Sequence, residues 1–213
     1  MRIFVIFFIS ALFLATSVYA GEQIALSKDF KEVARAEGDL NKDGTKDIAL
    51  ITQKIMPKDS QNEDFPPQEI LVFLGDNSGN FNLWKRGEKH FLNSHPNFMD
   101  PNGLLDFKIE KGVLVITSST ALTIGGWSSG GCTQKWRNEK DSFRLIGLKV
   151  VDIDRKCACG TSKDTNYLTG ASITKTDADS EGNQMEIEEV TKTKSKPQKI
   201  FWESFNYDKF CSN

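Results

Sequence analysis

Beyond Ala20 the chain has no apolar run long enough to cross a bilayer, and no sustained helical period. The first absence argues against a membrane span in the later chain, because a spanning helix needs about 20 mostly apolar residues. The second argues against a helical domain, whose apolar residues would recur every three to four positions. A basic excess is missing too, since the formal net charge is −2. Nucleic-acid partners normally require a positive face, so that class is set aside. Histidine is scarce, with only His90 and His95. Both lie in one polar loop, which leaves little material for histidine-based catalysis elsewhere.

What is present begins with a targeting signal. Met1-Arg2 is followed by an apolar stretch from Ile3 to Leu14 and then by Ala15-Thr16-Ser17-Val18-Tyr19-Ala20. One positive charge, a short apolar core and a small-x-small ending predict a secretory signal peptide cut after Ala20. No cysteine stands at the cut, so no lipid anchor is expected there. The mature chain, residues 21–213, is then a periplasmic or secreted protein of one β-rich domain. Within it, residues 30–88 form a blade-like part and residues 104–213 a disulfide-linked part.

The four cysteines are Cys132, Cys157, Cys159 and Cys211. An even count in an exported chain implies two disulfides rather than a zinc site of four thiolates. Cys157 and Cys159 are too close in sequence to bridge each other readily. The expected pairings therefore join this pair to Cys132 and Cys211 in one of two ways. A bridge at Cys211 would pin an end that otherwise frays.

The rest of the pattern is strand, turn, strand. Residues 21–30 read as an unstructured lead-in. Phe30–Ala36 alternates, and Ile48–Thr52 is a short apolar strand. Glu69–Leu74 and Phe81–Trp84 flank Gly75-Asp76-Asn77-Ser78-Gly79-Asn80, whose residue types tolerate the positive φ of hairpin loops. Leu104–Ile109 with Val113–Thr117, and Cys132–Trp136 with Phe143–Val151, make two further hairpins, with a glycine-rich loop at 124–131 between them. Ala171–Lys175 and Met185–Val190 alternate around a turn near Gly182. The fold class expected is all-β, mainly antiparallel meander and hairpins, with few or no helices outside the signal peptide.

The most informative stretch is Gly38-Asp39-Leu40-Asn41-Lys42-Asp43-Gly44-Thr45-Lys46-Asp47. Asp39, Asn41, Asp43 and Asp47 place oxygen ligands at alternating positions, and Thr45 can add its backbone carbonyl. Hard cations such as Ca²⁺ take six to eight oxygens, and a tight turn can supply most of them. An EF-hand needs a glutamate at the twelfth position counted from Asp39, and Leu50 stands there. That exclusion leaves a cage set between two strands, closed by Asp47. Ala36–Leu50 resembles an FG-GAP or VCBS-type repeat, in which a loop of the form DxNxDGxxD is a Ca²⁺ cage within a β-blade. The resemblance implies Ca²⁺ as the bound ion and Asp39, Asn41, Asp43, Thr45 and Asp47 as its ligands. The loop occurs once, whereas a propeller needs several blades. Farther on, Ile109–Ile116, Trp136–Gly147 and Asn166-Tyr167-Leu168-Thr169-Gly170 are similar to segments of exported bacterial proteins, a likeness that brings no activity with it.

Two patterns offer catalysis. Gly126-Trp127-Ser128-Ser129-Gly130 fits G-x-S-x-G, but a nucleophile elbow needs a helix after the serine and a later histidine. Here a strand is expected next, and both histidines come earlier. His90, His95 and Asp100 share a polar loop that can hold a metal or orient a water if it folds back. Finally, Lys192, Lys194, Lys196 and Lys199 follow an acidic stretch, an arrangement that blunts an exposed sheet edge. The function expected is a non-enzymatic, Ca²⁺-binding β-domain that contacts a protein or envelope component, with Trp127 in the contact patch. The alternatives are an inhibitor or immunity protein against an envelope-attacking enzyme, and a hydrolase using the His90–Asp100 loop or Ser128.

Overall fold

The structure is a computed structural model that describes residues 24–56, 66–87, 104–121, 128–140, 142–154, 156–157, 159–180 and 184–211. The expected signal peptide (residues 1–20), Trp127 and the His90–Asp100 loop lie outside these residues. The protein is all-β. Strands β1 (Phe30–Gly38), β2 (Asp47–Lys54), β3 (Gln68–Gly75) and β4 (Phe81–Gly87) form a four-stranded antiparallel meander in chain order. A second sheet runs β11-β10-β9-β8-β7-β6-β5. Its strands are β5 (Leu104–Glu110), β6 (Val113–Ala121), β7 (Ser128–Glu139), β8 (Ser142–Asp154), β9 (Cys159–Asn166), β10 (Ala171–Ser180) and β11 (Gln184–Lys194). A two-residue strand, β12 (Ile200–Phe201), pairs with β8 at Arg144 and Leu145. One turn of 3₁₀ helix at Trp202–Ser204 and a short helix, α1 (Tyr207–Cys211), end the chain.

The apolar run of β2 is explained by burial on both of its faces. Ala49 and Ile51 pair with Val72 and Ile70 of β3 and face a core shared with the large sheet. Ile48 and Leu50 pair with Phe73 and Leu71 on the opposite face, where Ile24, Leu26 and Phe81 pack over them. From Ile24 onward the lead-in is therefore not loose. It has no regular strand, but two of its apolar side chains cap the outer face of the small sheet, because leaving that face wet would cost about 25 cal/mol per Å² of apolar surface.

The shared core is aromatic. Trp136 of β7 lies 5.0 Å from Trp202 and 5.2 Å from Phe205, ring centre to ring centre. Phe143 of β8 lies 5.1 Å from Trp84 of β4. The C-terminal segment 200–211 is the wedge that joins the two sheets. The Trp202 indole N–H donates to the Arg86 carbonyl at 2.9 Å, Lys85 of β4 pairs with Glu203, and the Tyr207 hydroxyl bonds to Ser118 of β6 at 3.0 Å.

Cysteine pairing differs from the sequence expectation. Cys132 bonds to Cys211, and Cys157 bonds to Cys159. The wedge explains the first pair, since it brings α1 onto β7 and sets the two Cα atoms 5.5 Å apart. The bend between β8 and β9 explains the second. Asp154 faces Cys159 across the hairpin, so the intervening chain must double back, and the Cα atoms of Cys157 and Cys159 come within 5.1 Å. Part of the glycine-rich loop is also strand: Ser128–Gly131 belongs to β7, because β6 and β8 both offer hydrogen-bonding partners there.

Candidate metal centre

The acidic loop joins β1 to β2 and is built as a ladder of side-chain to backbone hydrogen bonds. Asp39 Oδ1 accepts from the Lys42 N–H at 2.6 Å, and Asp39 Oδ2 from the Gly44 N–H at 3.0 Å. Asn41 Oδ1 accepts from the Asp43 N–H at 3.1 Å, and Asp43 Oδ1 from the Thr45 N–H at 2.7 Å. The Asn41 amide donates to Asp43 Oδ2 at 2.7 Å. These short polar residues suit such turns because their side chains reach backbone groups two or three positions on. Gly44 has φ of 84°, a left-handed conformation that glycine adopts without steric cost.

Asp47 points the other way. It is fully buried, with Oδ2 accepting from Leu40 at 2.7 Å and Asn41 at 3.3 Å, and Oδ1 accepting from Gly75 at 2.9 Å. Three backbone donors consume one carboxylate, so Asp47 brackets the loop to the end of β3. At Gly75 the chains come so close that a Cβ would sit 2.1 Å from the Lys46 carbonyl oxygen. Only glycine permits that approach. The Thr45 hydroxyl reaches Asn77 at 3.3 Å in the β3–β4 turn, where Asp76 repeats the device by accepting from Ser78 and Asn80. The β5–β6 turn of the large sheet lies beside the same loop, with Gly112 against the Lys42 side chain.

The electrostatics divide the carboxylates. The Thr45 N–H, helped by Asn41, holds Asp43 below the usual carboxylate range, and the Asn80 N–H does the same for Asp76. Burial pushes Asp47 up, against the pull of its three N–H donors. Asp43 and Asp76 thus contribute stability above their unfolded pKa that is lost as pH falls through their lowered values. Asp47 has the opposite sign: its contribution is full below its unfolded pKa and is lost as pH rises through its raised value. A carboxyl ¹³C titration is expected to place Asp43 and Asp76 below an unstructured aspartate and Asp47 above it. An Asp47 midpoint below that reference would show that its hydrogen bonds outweigh burial.

No protein-family model, curated protein or solved structure matches this chain. The loop is therefore judged by its own donors. Asp39, Asn41 and Asp43 carry side-chain oxygens in the partly exposed stretch of the loop, and oxygen is the donor a hard cation takes. The N–H bonds use one lone pair of an oxygen and leave others available. Asp47, also in the ligand set read from the sequence pattern, differs in being fully buried, with three backbone N–H groups on its two oxygens. Among the described residues, no three His, Cys, Asp or Glu side chains gather at metal-binding distance.

The remaining candidates separate. Ser128 begins β7, and strand rather than helix follows it, so the G-x-S-x-G pattern lacks the elbow that would present a nucleophile. No helix among the described residues is long and apolar enough to cross a membrane. A hollow of about 330 Å³ between β8–β10 and α1, with Leu148, Tyr167, Lys209 and Phe210 among its lining residues, had no sequence signal, because it depends on where α1 docks.

Proposed function

We propose that this chain is an exported, non-enzymatic β-domain that binds Ca²⁺ at the β1–β2 loop and acts by contacting a protein or another component of the bacterial envelope. One observation carries the metal reading. Asp47 anchors the loop from beneath, and Asp39, Asn41 and Asp43 remain as oxygen donors on its open side. The position of the loop between the first two strands of a four-stranded meander supports the likeness to an FG-GAP or VCBS-type blade. Two disulfides and the N-terminal signal pattern support export.

The ligands are Asp39, Asn41, Asp43 and the Thr45 carbonyl, with water completing the shell. Only two of these carry charge, which points to a weak site, with Kd of roughly 10⁻⁴–10⁻³ M as in extracellular modules. The ion supplies local charge neutralisation and stiffens the loop against the β3–β4 and β5–β6 turns. At about 100 times Kd, binding stabilises by about 2.7 kcal/mol. The melting temperature of the mature chain is expected to rise in Ca²⁺ relative to chelator. Asp43→Ala should remove that rise, and in chelator it should lower the melt only slightly, through its lost bonds to Thr45 and Asn41. Identical melts of the parent chain in Ca²⁺ and in chelator would rule the ion out. Capture from envelope extract, with and without Ca²⁺, tests the contact role.

A further inference from the structure

The hollow of about 330 Å³ beside α1 is built from two parts of the fold that lie far apart in sequence. One part is a face of three neighbouring strands. Val150 of β8, Lys163 of β9 and Thr174 of β10 stand in one row, and Leu148 lies opposite Thr165 in the next. Residues opposite one another in a strand pair project to the same side, so these side chains share the face on which the hollow opens. The other part is α1, which brings Lys209 and Phe210. That wall is fixed, because Phe210 stacks on Phe205 at 5.3 Å and its neighbour Cys211 is bonded to Cys132 of β7. The volume lies at the lower end of the range that small-ligand sites occupy, about 300–1,000 Å³.

Three polar groups line this hollow without a partner among the described residues. Tyr167 is only 8 % exposed, and its main chain is held by Ile146 and Gln198, yet its hydroxyl makes no hydrogen bond to the protein. A buried tyrosine hydroxyl normally finds one. Burial alone pushes the Tyr167 phenol up from its ordinary pKa, with no hydrogen bond acting on it. Lys163 and Lys209 both line the hollow and neither meets a carboxylate; the Lys209 ammonium lies over the Phe210 ring at 5.5 Å. Asp152 shares the sheet face but stands one row farther on, opposite Thr161, and pairs with neither lysine. Two uncompensated positive charges and a hydroxyl donor thus meet the apolar surface of Leu148, Val150 and Phe210. Opposite charge within about 4–6 Å is what such ammonium groups favour, and the apolar surface gains by losing water.

We propose that the hollow binds a small organic carboxylate with an apolar body. Lys163, Lys209 and the Tyr167 hydroxyl hold the carboxylate, and Leu148, Val150 and Phe210 receive the body. The site belongs to the large sheet and does not depend on the metal loop, so failure of one reading leaves the other standing. The test is titration of the ¹⁵N-labelled mature chain with octanoate, followed by amide shifts and calorimetry, with octylamine and inorganic phosphate as comparison ligands. Octanoate should bind saturably with Kd of about 10⁻⁴ M, equally in Ca²⁺ and in chelator, and shift the amides of Lys163, Tyr167 and Phe210. Octylamine carries the wrong charge and phosphate lacks the apolar body, so each should bind at least about 10-fold more weakly. Lys163→Gln combined with Lys209→Gln should weaken octanoate on the order of 10-fold or more. Tyr167→Phe removes only an unpartnered hydroxyl, so it should leave the melt unchanged and weaken octanoate about 10-fold. Should a variant fail to fold, the three ligands on the parent chain decide alone. The proposal is overturned if octanoate shifts none of these amides at about 10 mM, or if octylamine or phosphate binds as tightly. Octanoate affinity unchanged in both variants overturns it as well.

Discussion

Replacing Asp47 by alanine is expected to destabilise the protein by about 3–5 kcal/mol, lowering Tm by on the order of 10 °C. The side chain is fully buried and is the acceptor for the Leu40, Asn41 and Gly75 N–H groups. Alanine strands these donors, and each unsatisfied buried group costs about 1–3 kcal/mol, partly relieved where water can enter. The same change at Asp39, whose two N–H partners lie in the exposed part of the loop, is expected to cost only about 1 kcal/mol. Asp47→Asn keeps the shape but sets an amide nitrogen against a backbone donor, so it should recover part of the loss and not all of it. Urea unfolding of the three variants provides the check. Equal losses at Asp47 and Asp39 would mean that the bracket is no more important than the loop it holds.

Loss of the Cys132–Cys211 bridge is expected to be comparably severe. The bridge spans 79 residues of sequence and fastens α1 to β7. On the chain-entropy account, closing a loop of that size is worth about 4–5 kcal/mol. Opening it also frees the wedge, and with it Trp202, Phe205 and Tyr207, which fill the space between the sheets. Replacing both Cys132 and Cys211 by alanine should lower the urea midpoint sharply and expose aromatic surface to a fluorescent dye. Replacing Cys157 and Cys159, which close a turn of two residues' separation, should cost well under half as much. If the two double variants unfolded at the same midpoint, the wedge would not depend on its covalent tether.

The physical basis of these effects separates what local sequence encodes from what it does not. Hairpin turns were legible because Gly, Asn and Asp carry their backbone preferences with them. Gly75–Asn80 and Lys111–Gly112 form turns where residue type placed them. The apolar strand β2 was legible because burial selects its composition. β9 was not: Cys-Gly-Thr-Ser-Lys-Asp-Thr-Asn has almost no apolar side chain, and it is strand because β8 and β10 supply hydrogen bonds on both sides. The wedge at 200–211 was equally silent, since its aromatic residues follow no strand or helix period and have meaning only where two sheets leave a gap.

At the candidate site the same division holds. The oxygen-bearing residues at 39, 41, 43 and 47, the glycine at 44 and the all-β class follow from the sequence alone, because turn chemistry and alternation act over a few neighbouring residues. Whether each oxygen faces solvent or backbone was decided by tertiary structure. Asp47 turned inward because Gly75, from a strand 28 residues later, brings an N–H to it in a buried place where that donor must be satisfied. The disulfide partners were settled likewise, by the docking of α1 and the bend after β8. A motif names the groups that can act together. Only the packing of distant segments determines which of them remain available to do so.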